Sequence, residues 1–333
     1  MGNPVLVEVV RGPSVESRHR AAVAVVDGDG AMALAVGDVT QPVFPRSAVK
    51  ALQALPLVES GAADHYGFGA KELALACSSH SGEEEHVAVV SRMLAKAGLD
   101  ASALSCGTHW PMNQAAALAL ARTGAPSALH NNCSGKHAGF LCVTCARGID
   151  HRGYWQPDHP VQQGVRDVLE DMTGAVLSPE CRAIDGCSVP TWAIPLRKLA
   201  HAFAKFGSGH RLSRERAAAA ARLLAACAEN PWYVAGTGRF CTEIMRLFGA
   251  RVFVKTGAEG MYCGALPRQG LGIAIKCDDG AGRAAEAIMA AIIARYLRLE
   301  PAERAALERF LRPVLRNWNG FEVGALRVTD ALR

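Results

Sequence analysis

Ala21-Ala22-Val23-Ala24-Val25-Val26-Asp27-Gly28-Asp29-Gly30-Ala31-Met32-Ala33-Leu34-Ala35-Val36 is two apolar runs around a polar, glycine-rich turn. Asp and Gly accept the left-handed backbone of a tight hairpin, so the stretch predicts antiparallel strands at 21–26 and 32–36. Upstream, Val5 to Val10 is rich in Val and reads as another strand. Downstream, Gln41-Pro42-Val43-Phe44-Pro45 is extended, because a proline disfavours helix in the residue before it. Ser47 to about Leu55 then predicts a helix, with Val49, Leu52 and Leu55 at helical spacing and Pro56 at its end. Helices are also expected over 84–97, 115–122 and 213–228. Strand character returns at 251–255, 261–266 and 271–277, and a helix from about 282 to 299 closes the core. The expectation is an α+β protein, with an antiparallel sheet built from both chain ends (about 4–40 and 250–280, plus terminal segments). A helical lobe (about 47–245) is inserted, and residues 1–333 form one domain.

A chain of 333 residues, half apolar and a fifth charged, can bury a large core. The net charge of +5 is spread without a basic run, which argues against nucleic acid as a partner. Met1-Gly2-Asn3-Pro4 does not resemble a secretory signal. The most apolar stretch, 284–299, is interrupted by Glu286, Arg295 and Arg298, so no membrane span is expected. These features point to the cytoplasm. There most of the eleven Cys would be free thiols, some of them open to metal.

The chemistry-bearing residues stand out through lysine usage. Only eight of the 36 basic residues are Lys, yet Lys occupies 50, 136 and 255. A lysine amine can lose its proton and act as a base or ligand, whereas Arg stays charged. Ser47-Ala48-Val49-Lys50 places a hydroxyl and an amine on one face of a helix start, the arrangement of an activated serine nucleophile. Lys255-Thr256-Gly257 follows a strand, where Gly257 allows close approach of substrate to backbone. A surface Ser and Lys, and a plain Gly turn, are the bland alternatives. In Cys77-Ser78-Ser79-His80-Ser81-Gly82-Glu83, three hydroxyls and a His suit either a polar ligand or a helix cap. Cys133-Ser134-Gly135-Lys136 with Cys187 forms a candidate metal set, with His130 or His137 as further donors. Two buried thiols or a Cys133–Cys187 disulfide fit the spacing as well.

Six segments in order resemble the asparaginase II family, the thermolabile rhizobial class of L-asparaginase. They are Pro45-Arg46-Ser47-Ala48-Val49-Lys50, 77–83, Cys106-Gly107-Thr108-His109-Trp110-Pro111, 131–137, Asp185-Gly186-Cys187-Ser188-Val189-Pro190 and Lys255-Thr256-Gly257-Ala258-Glu259-Gly260. The resemblance runs from about residue 5 to 330. It implies a serine β-lactamase/glutaminase-like fold, a single catalytic domain, a homodimer, and hydrolysis of the small-molecule substrate L-asparagine to aspartate and ammonia. It makes Ser47 and Lys50 one pair and Ser79 and Lys255 a second, and sets Zn²⁺ on Cys133, Lys136 and Cys187 with Asp185 nearby. In this reading zinc orders the site or tunes affinity rather than activating water. His80 and Asp185 line the substrate site, and Arg46, Ser134 and Glu259 are candidates for its α-carboxylate and α-amine. A glutaminase, another serine amidohydrolase of this fold, or a non-catalytic zinc-binding relative are the alternatives.

Overall fold

The computed structural model describes residues 2–332. Strands β1 (Val5–Arg11), β2 (Ser14–Asp27), β3 (Met32–Val36), β4 (Phe253–Thr256), β5 (Met261–Leu266), β6 (Leu271–Cys277), β7 (Val314–Arg316) and β8 (Glu322–Val328) form one antiparallel sheet. Its order is β7-β8-β1-β2-β6-β5-β4, with β3 also paired to β2. The hairpin of β2 and β3 turns through residues 28–31, with Val23 opposite Val36. The sheet is therefore drawn from both chain ends, and the helices between β3 and β4 make the inserted lobe: the fold is α+β.

Burial explains why part of β2 is a continuous apolar run. Ala21 to Val26 are all buried, whereas Ser14 to Arg20 are mostly exposed or half-buried. Helix α2 (Leu196–Ser208) packs against β2, β5 and β6 on one side, and α3 (Gly282–Tyr296) packs against β5 and β6 on the other. A strand covered on both faces needs apolar residues at every position, not alternation. The packing of α2 is tightest over Gly272 of β6, where an added Cβ would lie 1.9 Å from the Ala200 carbonyl oxygen and 2.2 Å from the Ala204 nitrogen. Gly272→Ala must push the helix off the sheet, and a loss of about 3 kcal/mol or more is expected. Urea titration checks this, and a variant within 1 kcal/mol of the parent would show that α2 yields easily.

Two local expectations are corrected. The segment from Ser47 is not one helix ended by Pro56. A 3-10 turn over Arg46–Val49 leads into a short α-helix, Lys50–Gln53, and a separate helix then spans Leu55–Glu59. Pro56 lies in the first turn of that last helix, where its missing N–H has no partner to lose. Nor does the helix from Gly282 finish the core. It ends at Tyr296 and is followed by a helix over Pro301–Leu311 and by β7 and β8. Strand β8 carries Glu322 and Arg327 and buries only Ala325 and Leu326, so its apolar signal is weak.

Candidate active site

The site forms where the end of β4 meets the helical lobe. Helix α1 (Ala70–Ala76) stops at Cys77, and the next residues run as a loop held from both sides. The Ser79 N–H donates to the Val234 carbonyl at 2.9 Å, and the His80 N–H to that of Asn132 at 3.2 Å. This fixes Ser79 between two lysines: its Oγ accepts from Lys50 Nζ at 3.0 Å and from Lys255 Nζ at 2.8 Å. Both amines are fully buried. Lys50 also donates to the Ser78 carbonyl at 2.6 Å and the Asn132 carbonyl at 3.3 Å. Three acceptors match the three hydrogens of an ammonium. Lys255 has one other acceptor, the Thr256 carbonyl at 2.9 Å. Burial, and then the Lys50 charge, push the Lys255 amine down to about 7. One lysine is thus arranged as a donor, while the other is neutral above neutral pH.

Ser47 lies half-buried beside this pair, one turn before Lys50. Among the described residues its hydroxyl makes no hydrogen bond to Lys50, whose hydrogens are taken by Ser78, Ser79 and Asn132. The backbone here is constrained. Arg46 has φ of +50°, the left-handed region that L-residues rarely occupy. A Cβ on Gly257 would sit 2.8 Å from the Pro45 carbonyl oxygen, so only glycine lets β4 press against this turn. The Gly257 N–H donates to Met261 at 2.7 Å. Among the described residues the N–H groups of Ser47 and Ala258 donate to no backbone carbonyl, so both are open to a developing oxyanion.

Arg46 reaches the other motif, its Nε donating to Asp185 Oδ1. Burial opposes the Asp185 charge, yet Lys136 and Arg46 hold its carboxyl below the usual range. Asp185 opens the turn joining the strands Arg182–Ile184 and Pro190–Trp192, in which Ser188 has φ of +77°. The turn places Cys187 Sγ 3.1 Å from Lys136 Nζ, in the first turn of the helix Ser134–Ala146. Cys133 Sγ lies 3.0 Å from Asn132 Oδ1 and Cys187 Sγ 3.8 Å from Asp185 Oδ2. The neighbouring Cys187 holds the Cys133 thiol well below its usual range against the effect of burial, while Cys187 is raised. Burial works against the Lys136 charge, but the two sulfurs and Asp185 keep it protonated. Among the described residues no three His, Cys, Asp or Glu side chains form a metal cage. The two sulfurs converge instead on a lysine, which becomes part of a donor set for a thiophilic ion once the ion displaces the Lys136 proton.

His80 and Ser134 are satisfied by each other. His80 Nδ1 accepts from the Gly82 N–H at 3.1 Å, so its Nε2–H donates to Ser134 Oγ at 2.8 Å. Ser134 in turn donates to the Leu129 carbonyl at 2.8 Å. Burial pushes the His80 imidazole well below its usual range, leaving it neutral. Its ring stacks on His86, which stacks on Trp232. These groups form a rigid wall behind Ser79. Glu259 is exposed at the turn after Gly257, with φ of +57°. The sequence reading passed over Asn132 and Arg239. Asn132 acts through its backbone carbonyl, which its identity does not reveal. Arg239 had a signal in Gly236-Thr237-Gly238-Arg239, a glycine-flanked turn entering a helix.

Among solved structures the chain is similar to a β-lactamase from Mycobacterium bovis, at 16% identity over 83% of this chain and 94% of that one, with a TM-score of 0.39. It is also similar to Mglu, at 17% identity over 80% of this chain and 64% of that one, with a TM-score of 0.35. No curated protein sequence matches it. Among the described residues no helix is long and apolar enough to cross a membrane. The L-asparaginase II family model matches residues 7–328, almost the whole length, and the chain belongs to that family of amidohydrolases.

Proposed function

We propose that the protein is an L-asparaginase, hydrolysing L-asparagine to aspartate and ammonia through an acyl-enzyme on Ser47. The observation that carries the reading is the Ser79 hydroxyl held between two buried lysine amines, at 3.0 and 2.8 Å. That array moves protons. Lys50 donates to Ser79 Oγ, and once Lys255 is neutral the 2.8 Å contact turns round, the Ser79 O–H donating to the Lys255 lone pair. A concerted shift passes one proton from Lys50 through Ser79 to Lys255 and leaves Lys50 neutral. Lys50 then takes the Ser47 proton as Ser47 Oγ attacks the side-chain amide carbon.

The Ser47 and Ala258 N–H groups receive the negative oxygen of the tetrahedral intermediate. The leaving nitrogen takes the proton back from Lys50 and departs as ammonia. Water then attacks the ester with Lys50 again as base, Ser47 recovers its proton, and aspartate is released.

Cys133, Lys136 and Cys187 would hold a zinc ion. Bound there, zinc supplies a fixed positive charge beside Asp185 and locks the 185–189 turn, which through Arg46 steadies the Ser47 turn. Cys187→Ser is therefore expected to lose bound zinc by elemental analysis and to raise KM more than it lowers kcat. Unchanged zinc content would refute this donor set. The family resemblance also supports a cytoplasmic homodimer. Ammonia release from L-asparagine and L-glutamine at about pH 8.5 tests the main reading. Asparagine is expected to be the better substrate, and a preference for glutamine would make the protein a glutaminase.

A further inference from the structure

Arg239 is the cation of the site that the mechanism does not use. It follows Gly236-Thr237-Gly238 and precedes the helix Phe240–Phe248. This turn is tied to the Ser79 loop, because Glu83 accepts from the Thr237 N–H at 2.8 Å and from Thr237 Oγ1 at 2.7 Å. The arginine side chain is placed just as definitely. Its Nη1 contacts Met112 Sδ at 3.9 Å, and the same sulfur meets Asn132 Nδ2 at 3.6 Å. The Asn132 carbonyl is an acceptor for Lys50 at 3.3 Å. Arg239 is thus two side chains from the reacting lysine, close enough for its charge to add to the depression of Lys255.

Arg239 is also uncommitted. It is half-buried, and among the described residues that thioether is its one side-chain hydrogen-bond partner. Glu286 is the carboxylate near enough to feel the Arg239 charge, which works against the rise that burial gives its carboxyl. Its hydrogen bond, however, comes from the Tyr262 hydroxyl at 3.4 Å, and it forms no ion pair with Arg239 among the described residues. Arg46, the arginine singled out from sequence, is engaged by Asp185. A half-buried guanidinium whose N–H groups touch no carboxylate is a costly arrangement unless a ligand completes it. Its planar fork fits a carboxylate in a two-point contact.

We propose that Arg239 receives the α-carboxylate of the substrate and so selects free α-amino-acid amides. The proposal rests on the asparaginase reading, and it makes Arg239 a specificity-determining residue with no part in proton transfer. The test compares L-asparagine with L-asparaginamide, in which the α-carboxylate is replaced by a neutral amide. Wild type should favour L-asparagine in kcat/KM. Arg239→Met should lower kcat/KM for L-asparagine by roughly 30- to 100-fold, mainly through KM, and leave L-asparaginamide almost unchanged. Arg239→Lys, which keeps the charge without the fork, should fall between them. Equal losses on both substrates, or no loss on either, would overturn the assignment while leaving the asparaginase reading intact. No release of ammonia from L-asparagine by wild type would overturn both.

Discussion

Ser47→Ala is expected to lower ammonia release from L-asparagine by about 10⁴-fold or more, the scale of losing a serine nucleophile. The fold should be indifferent to the change. Ser47 is half-buried, its side chain makes no hydrogen bond to Lys50, and Lys50 keeps its three other acceptors. Thermal melts of variant and parent should therefore agree within about 2 °C, because small surface changes stay within ~0.5 kcal/mol. Ser79→Ala is expected to behave differently. It removes the bridge between the lysines but leaves the nucleophile, so a loss of roughly 10²- to 10⁴-fold is expected, in the range of proton-transfer catalysis. Trapping the acyl-enzyme and locating it by peptide mass analysis separates the two. An acyl group on Ser79, with turnover retained in Ser47→Ala, would exchange the roles of the serines.

Lys255→Arg is expected to be nearly as damaging, with a loss of about 10³-fold, although it keeps a long basic side chain. The reason is the proton. Burial first, and the neighbouring Lys50 charge second, bring the Lys255 amine down to about 7. Below that pH Lys255 is protonated and has no lone pair to accept through Ser79; above it the relay is open. Activity of wild type should rise as pH increases through about 7 and then level off. Arginine cannot lose its proton in any accessible range, so the variant should lose both the activity and this rise. A variant that kept a rate profile rising through pH 7 would assign the titration to another group.

The arrangement also explains why two lysines are buried so close together. Burial and then the Lys50 charge disfavour a second charge on Lys255, so Ser79 bridges a charged donor and an amine that gives up its proton readily. His80, neutral and hydrogen-bonded to Gly82 and Ser134, contributes rigidity without a competing charge.

The outline of the fold was legible in the chain because its signals are local. Ala21–Val36 carries its own turn residues, and 261–266 and 271–277 are bounded by Gly and Pro. These strands appear where the pattern puts them. Pro56 was misleading because one residue can end one helix or begin another, and only the neighbouring backbone decides which. The family motifs named Ser47, Lys50, Ser79, Lys255, Cys133, Lys136 and Cys187, residues spread over more than half the chain.

What the sequence determined by itself was therefore the residue types with removable protons and soft sulfurs, and the strands and helices that carry them. Tertiary structure alone decided their partnerships. Lys255 meets a serine 176 positions away, Arg46 meets Asp185 rather than remaining free for substrate, and Arg239 is left hydrogen-bonded to a thioether rather than to a carboxylate. The physical reason is that a hydrogen bond or a pKa shift depends on distance and on exclusion of water. Both are set by how the sheet edge packs against the helical lobe, which no local stretch of residues encodes.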